Sequence, residues 1–408
     1  MYSEEEEAAV GTARGAGSGG HHVLVVGAGI SGATIARRAA EAGKRVLVVE
    51  ARDHVAGNCH DAVDRHGLRV STYGPHFFHT NDERVWAFVR RFATWLPWEH
   101  RVTAAVAAVG APTTYVPVPV NRTTVNTLFG LTPALRDEAG MEAWLDAERV
   151  LPAGGAPPSN SAEVALQRVG PRLYDLLFRG YSVKQWELDP SELAPSVLAR
   201  IPVRTNEDDR YFTDAHQALP KGGYTAWVAS MLDHPNIEVR TGCDYFAARG
   251  AGLGGSERTV FTGPIDAYYV GAGLEPLQYR SVRFEWEERA VESAEACVYP
   301  TAQVNFPSPL VPHTRVTEYK HILRQRPADD ARVSVLAWEY SQGGGEPYYP
   351  VPTPRNAALY DRYAAMAAAE RDILFVGRLA TYKYLNMDQA IGAALRFADE
   401  EWGDQGPP

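Results

Sequence analysis

An α/β fold is predicted for this chain, built on a βαβ unit near its amino end, with a separate antiparallel sheet later in the sequence. Three observations predict it. Residues 22–50, HVLVVGAGISGATIARRAAEAGKRVLVVE, read as strand, glycine turn, helix and strand in immediate succession. Alternating half-buried segments follow between residues 280 and 339, and a second strand–glycine–helix junction closes the chain at 373–387.

Taken in order, Val23 to Val26 is a short continuous apolar run, as a strand buried on both faces requires. Gly27, Gly29 and Gly32 follow in G-x-G-x-x-G spacing, and Ile30, Ala33, Ile35, Ala36, Ala39 and Ala40 begin a helical pattern. Gly43 ends that helix, Arg45 to Val49 forms a second buried strand, and Glu50 closes it. In a dinucleotide site Gly27 allows the tight turn, Gly29 lets backbone approach a pyrophosphate, and Gly32 lets helix and strand pack closely. The helix amino end aims unpaired N–H groups at phosphate, and Glu50 stands where a carboxylate accepts from a ribose. Such spacing alone is weak. With strand, helix, second strand and acid in register, it marks a dinucleotide-binding unit.

The chain has 408 residues, more than one compact core holds, and a formal net charge of −10 that argues against nucleic acid as a bulk partner. No run approaches the roughly 18 apolar residues of a membrane span. Cys59, Cys243 and Cys297 show neither a disulfide framework nor metal-ligand spacing, which suits a reducing cytoplasm. Residues 1–20, acidic and then Gly/Ser/Ala-rich, lack the features of a secretory signal and read as a disordered tail.

Beyond Glu50, Gly57 and Asn58 suggest a loop over the cofactor, and Val70 to Tyr73 a short strand. Gly74-Pro75-His76 forces a turn; a histidine there is more often a local hydrogen-bonding residue than a catalytic one. Residues 101–118 have hairpin character around a Gly-Ala-Pro turn, and Thr123 to about Tyr174 is helical with a break at Pro152 to Ser161. Phe178, Arg179, Tyr181, Lys184, Trp186, Arg200, Arg204 and Tyr211 crowd the next stretch. Aromatic faces there can stack on a base and arginines can clamp phosphates; the plain alternative is a core-facing aromatic stripe with a solvated basic face. Asp189-Pro190 and Ala194-Pro195 break that stretch into a segment able to move. Strands are predicted at 237–240, 258–261, 280–288, 303–306, 315–320 and 332–339, and a helix at 225–232. The closing junction, Ile373 to Val376, Gly377-Arg378 and a helix from about Met387, can contact the other end of an extended cofactor, which favours FAD over NAD.

Eight local patterns carry a resemblance: GAGISG with Glu50, YGPHFFHT at 73–80, RGYSVKQW at 179–186, IPVRTNEDDRYF at 201–212, TGPIDAYY at 262–269, HTRVTEYKH at 313–321, PYYP at 347–350 and GRLATYKYLNM at 377–387. In this order the chain resembles the bacterial UDP-galactopyranose mutases from about residue 22 to 400. The resemblance implies a discontinuous Rossmann-type FAD-binding domain (21–97, 219–272 and 351–408) and a helical bundle domain with a mobile loop (122–200). A six-stranded antiparallel sheet domain (98–121, 201–218 and 273–350) completes it, in a cytoplasmic homodimer. It implies redox-neutral isomerisation of UDP-galactopyranose to UDP-galactofuranose, with N5 of reduced FAD as nucleophile on the anomeric carbon, and an external reductant for the flavin.

By the same resemblance, His76 lies near the flavin, and Arg200, on the mobile loop, and Arg315, on the sheet, both fork onto the diphosphate. Tyr181, Tyr211, Tyr349 and Tyr384 donate hydroxyls, Phe178 and Trp186 line the uridine end, and Asn305 contacts substrate. Gly27, Gly29, Gly32, Glu50, Arg52, Gly57, Asn58, Arg378 and Met387 hold the cofactor; no metal is implied. The sequence departs from the family pattern at Ala56 for glycine, Leu177 for an aromatic, Glu187 for glycine and Asn386 for aspartate. Two other functions share the nucleotide unit: a mutase for a different NDP-hexopyranose in a secondary-metabolite pathway, and a flavin oxidoreductase of amine-oxidase type. A non-catalytic binder would keep the fold as well.

Overall fold

The structure, a computed structural model, describes residues 21–107, 112–250, 253 and 256–403. The tail of residues 1–20, and Gly110 and Ala111 of the expected hairpin turn, lie outside the described residues. The chain divides into two compact units, Met1–Trp98 with Asp214–Leu277 and Ala358–Pro408, and Glu99–Thr213 with Gln278–Ala357.

In the first unit β1 (Val23–Val26), α1 (Ile30–Glu41) and β2 (Val46–Val49) form as the apolar runs and helical spacing demand. All eight strand residues are buried, because the sheet is parallel and covered on both faces. Its strand order is Ile237–Arg240, β2, β1, Arg258–Phe261, Ile373–Phe375. The chain therefore leaves β1 toward β2 on one side and pairs Arg258–Phe261 on the other, a switch point at whose carboxyl end ligands bind. The buried face of α1 is small (Ala33, Ala36, Ala39 and Ala40), which lets it pack against β1 and the last helix, Met387–Trp402. A three-stranded antiparallel sheet joins Phe78–Thr80, His216–Pro220 and Trp95–Pro97. The strand at 216 thus pairs within this unit, whereas the resemblance implies a place for residues 201–218 in the other sheet domain.

The second unit corrects the expected sheet. It has seven strands among the described residues, in the order Tyr349–Pro350, Tyr279–Ala290, Val333–Gln342, Arg315–Glu318, Gln303–Asn305, Val102–Val106, Thr114–Val118. It is mixed, since Gln303–Asn305 runs parallel to Val102–Val106. A parallel neighbour cannot be read from alternation, which is the same in either direction. Helices Arg122–Phe129, Glu138–Glu148 and Ser161–Leu173 share a core with Val116, Val120 and Phe178, in the same unit as the sheet. Helix does not stop near Tyr174 as expected: a π-turn, Tyr174–Arg179, carries it into Gly180–Trp186. Phe178 and Trp186, both buried, lie eight residues apart along it and so toward one face.

Candidate functional site

In the first unit three strand ends converge. Gly27 has φ +103°, and a Cβ there would lie 2.2 Å from Thr262 Oγ1, which itself donates to the Val26 carbonyl at 2.7 Å. Gly377, after the last strand, has φ +101° and packs against Ser31 on the first turn of α1. The two strand–glycine–helix junctions are thus neighbours. Gly32 is a packing glycine, since its Cβ would sit 1.9 Å from the Gly27 carbonyl oxygen. Gly29 differs: the nearest atom to its Cβ is Gly57 Cα at 3.9 Å, so its open side can face a ligand. No side chain caps the amino end of α1.

Glu50 is buried, and both of its oxygens are engaged: Oε2 accepts from Ala28 N at 2.8 Å and Oε1 from Arg52 N at 3.0 Å. It therefore ties the glycine turn to the end of β2, a role beyond the ribose contact expected from sequence. Asn58 Oδ1 accepts from Arg52 at 2.9 Å, and the Arg52 guanidinium lies 4.1 Å from the Tyr73 ring centroid. Met387 opens the final helix and touches Cys59, whose thiol burial pushes up to about 12 and so keeps inert. Arg378 lies 4.5 Å from the centroid of Tyr384, a first-unit residue. His76 Nδ1 is 3.0 Å from the Gly74 carbonyl, the local hydrogen bond that its turn position predicts.

Ala56 replaces the family's glycine in the left-handed region, at φ +75°. Such a conformation costs about 1–2 kcal/mol for a non-glycine residue. Replacement by glycine would lose a buried methyl worth about 0.8 kcal/mol and add unfolded-chain entropy of about 0.4–1 kcal/mol. These terms nearly cancel, which accounts for the tolerance of alanine. Ala56→Gly is expected to change stability by less than about 1 kcal/mol, and Ala56→Val, β-branched at positive φ, to lose about 2 kcal/mol or more. Denaturant titration of the two variants checks both.

The second unit collects one cluster. Arg315 Nε donates to Glu339 Oε2 at 2.7 Å, and its Nη2 lies 2.7 Å from Oε1, across strands paired at those residues. Glu339 thus takes one edge of the guanidinium that the resemblance assigns to a diphosphate. Burial drives the Tyr181 hydroxyl upward, and it feels Arg315, Glu339, Tyr211 and Tyr349. Burial opposes the Arg315 charge, but Glu339, Tyr181 and Tyr349 hold it firmly protonated. Trp186 meets Tyr349 edge to face at 6.4 Å. Asn305 pairs with Arg315 in the sheet, and its Oδ1 is buried with no hydrogen-bond partner among the described residues. Arg200 is exposed at the end of helix Ser196–Ala199. Phe178 lies in the helical core.

Two basic residues of the aromatic stretch spend their donors inside the protein. Lys184 donates to four carbonyls of the 306–313 loop, and Arg204 to the carbonyls of Asp208 and Arg210. Glu187 takes the left-handed C-cap at φ +54°, where the family often has glycine, and its carboxylate lies 2.7 Å from the buried Arg280. Asn386, at the N-cap of the last helix, stands in for aspartate there because either residue caps well. Cys297, Glu318 and His321 gather within 4.8 Å, a group sequence reading missed. The Glu318 carboxylate already accepts from Val298 N, Tyr299 N and the Ser334 hydroxyl. Against the pull of burial, Cys297 and Glu318 raise His321 to about 10, so a metal there would have to displace its proton.

Glu339 is the chief functional candidate that sequence reading missed. The available signal was the lone acid in a strand, Val333–Gln342, whose run before it is largely apolar. Its partner could not be read, because the pairing depends on register across two strands.

Comparison with known proteins places this geometry. A family model for UDP-galactopyranose mutase matches residues 176–384, and one for an NAD(P)-binding Rossmann-like domain matches residues 25–92. A Klebsiella pneumoniae protein named "Probable UDP-galactopyranose mutase" is 36% identical over 93% of this chain and 94% of its own. The dTDP-fucopyranose mutase of Escherichia coli is 37% identical over 92% of this chain and 97% of its own. A crystal structure of reduced UDP-galactopyranose mutase matches with a TM-score of 0.72 at 17% identity, over 94% of this chain and 96% of that one; this likeness speaks for the fold alone.

Proposed function

The chain belongs to the UDP-galactopyranose mutase family, and from that premise we propose that it interconverts UDP-galactopyranose and UDP-galactofuranose without net redox change, using reduced FAD. The observation that carries the reading is the gathering of Tyr181 and Tyr349 about the half-buried, Glu339-paired Arg315, with Tyr211 acting on Tyr181. Hydroxyl donors around a fixed cation suit a diphosphate leaving group, whose charge rises as the bond to the sugar breaks. Glu339 holds the guanidinium plane so that Arg315 is oriented before substrate arrives. The buried, unpartnered Asn305 oxygen calls for a donor from the ligand, such as a hydroxyl or ring N–H. Arg200, on its Pro-interrupted segment, would add a second cation as that segment moves.

The residues of the first unit fit a flavin dinucleotide. Gly29 presents open backbone at an uncapped helix end, and Gly57 approaches it closely enough that a Cβ would lie 3.1 Å from Gly29 Cα. Gly27, Gly29, Gly32 and Gly57 would shape the pyrophosphate cradle, Glu50, Arg52 and Asn58 the adenosine side, and Arg378 and Met387 the flavin side. His76, oriented through Gly74, would sit beside the ring system. When bound and reduced, the flavin supplies a nucleophilic nitrogen, N5, for the anomeric carbon. An external reductant would prime it once, since the reaction consumes none.

Three separate cysteines without a disulfide support a reducing, cytoplasmic setting, and the family resemblance supports a homodimer. No helix among the described residues is long and apolar enough to cross a membrane.

The test is to purify the protein, measure flavin per chain, and incubate it with dithionite and UDP-galactofuranose. We expect a yellow protein with about one FAD per chain, in keeping with a single dinucleotide cradle, and pyranose formation only after reduction, with no stoichiometric loss of reductant. Full activity of the oxidised enzyme in air would refute the redox-gated mechanism. A requirement for an electron acceptor would move the chain to the oxidoreductases. One observation favours a second reading of the sugar, the 37% identity to a dTDP-fucopyranose mutase. Running dTDP-fucopyranose in parallel decides it: a higher kcat/KM than for UDP-galactopyranose would reassign the substrate.

A further inference from the structure

Lys184 lies on helix Gly180–Trp186, between Tyr181 and Trp186. Its ammonium donates to the carbonyl oxygens of Phe306, Ser308 (2.9 Å), Val311 (3.2 Å) and His313 (2.8 Å). Those residues belong to the hairpin loop that leaves the sheet at Asn305 and re-enters it at Arg315, the two residues being paired. Phe306 N donates to the Thr314 carbonyl at 2.8 Å and closes the loop's neck. A second feature fixes the same contact independently. A Cβ at Gly180 would lie 2.3 Å from the Pro307 carbonyl oxygen and 3.3 Å from Pro309 Cδ, so the loop rests on the helix backbone itself.

We infer that Lys184 is a positioning residue of the nucleotide-sugar site, its ammonium clasping the 306–313 loop so that the helix bearing Tyr181 and Trp186 is held in register with the strands bearing Asn305 and Arg315. The inference rests on the proposed diphosphate reading of that cluster. An ammonium has three protons on a rotor, so four inward carbonyls share it and no single bond sets the loop. Deleting the charge leaves four carbonyl dipoles pointing at one another, and they must separate or find another cation. Burial draws Lys184 down to about 8, yet the surrounding oxygens have only lone pairs to offer and favour the charged form. Because the loop is bounded at both ends by site residues, its displacement moves Asn305 and Arg315 relative to Tyr181. No atom of Lys184 need touch substrate.

The expected consequence is weaker handling of the diphosphate. Lys184→Met should raise the Kd for UDP at least tenfold and lower kcat/KM for the nucleotide sugar at least tenfold, with flavin content unchanged. Gly180→Ala, which presses on the same loop at Pro307, should act in the same direction. A role in loop stability alone would lower the melting temperature and leave these constants alone in the folded fraction. Lys184→Ala adds a sharper test, because a ring of carbonyl oxygens is a site for a monovalent cation. Its UDP affinity should recover in methylammonium or potassium chloride and not in lithium chloride, with the wild type indifferent to all three. Folded Lys184→Met that binds UDP as the wild type does would overturn the clasp, as would a Lys184→Ala defect that no cation repairs. Should Lys184→Met not fold, Gly180→Ala and the cation series decide. If the wild type itself binds no UDP, the functional reading fails instead. Amide exchange over 303–318 then still tests the clasp, which predicts faster exchange there in every Lys184 variant and is overturned by unchanged protection.

Discussion

Arg315→Ala is expected to lower kcat/KM at least about a hundredfold, since losing a donor at a developing charge costs about 3 kcal/mol, with flavin content unaltered. The structure adds a consequence that sequence alone did not foresee. Glu339 is 3% exposed and both its oxygens face the Arg315 guanidinium, so the alanine variant strands a buried carboxylate. Stability should fall by about 3 kcal/mol, the penalty typical of a buried ion pair broken on one side. The two losses can be separated. In Arg315→Met with Glu339→Leu the unpaired charge is gone and stability should return to within about 1 kcal/mol of the wild type, because matched apolar residues replace buried pairs at little cost. Activity should stay low. Arg315→Lys should rescue only in part, as an ammonium cannot fork. Arg200→Ala offers the contrast: a similar loss of kcat/KM, with a stability change within about 0.5 kcal/mol because the side chain is exposed. Recovery of turnover along with stability in the double variant would show that Arg315 serves the fold and would remove the central support for a diphosphate substrate.

Gly32→Ala and Gly29→Ala should diverge sharply although both belong to one glycine motif. A methyl on Gly32 would meet the Gly27 carbonyl at 1.9 Å, backbone against backbone, so the turn must deform. A loss of about 3 kcal/mol is expected, at the upper end for overpacking, together with loss of flavin retention. At Gly29 the backbone has φ −72°, which any residue adopts, and a methyl would find nothing nearer than 3.9 Å. Stability of the flavin-free protein should change by less than about 1 kcal/mol, while flavin affinity falls at least about tenfold, or 1.4 kcal/mol, because the methyl occupies the surface offered to a pyrophosphate. Thermal unfolding of the flavin-free variants and flavin titration by fluorescence measure the two quantities. Wild-type flavin affinity in Gly29→Ala would mean that the cofactor does not approach the turn at this glycine.

Local order was legible in the sequence because it is written in local terms. The four-residue strands at 23–26, 237–240 and 258–261, and the helix beginning at Met387, follow from apolar runs and glycine punctuation, and the structure has them at those residues. The glycine turn was legible for the same reason: its steric demands fall on consecutive residues. Motif order along the chain is enough to carry the family resemblance.

Pairings between distant segments were decided only by the tertiary structure. Arg315 and Glu339 are 24 residues apart and meet through strand register, which no local pattern encodes. The parallel placement of Gln303–Asn305 beside Val102–Val106, and hence seven strands where six antiparallel ones were expected, has the same origin. In sequence Lys184 is one basic residue of an aromatic-rich stretch; only the fold shows four carbonyls, some 120 positions away, turned toward its ammonium. The residue types that carry the chemistry are local properties and the sequence alone determined them. Which donors remain for a ligand depends on what the fold has already bonded, and that is a property of the packed chain.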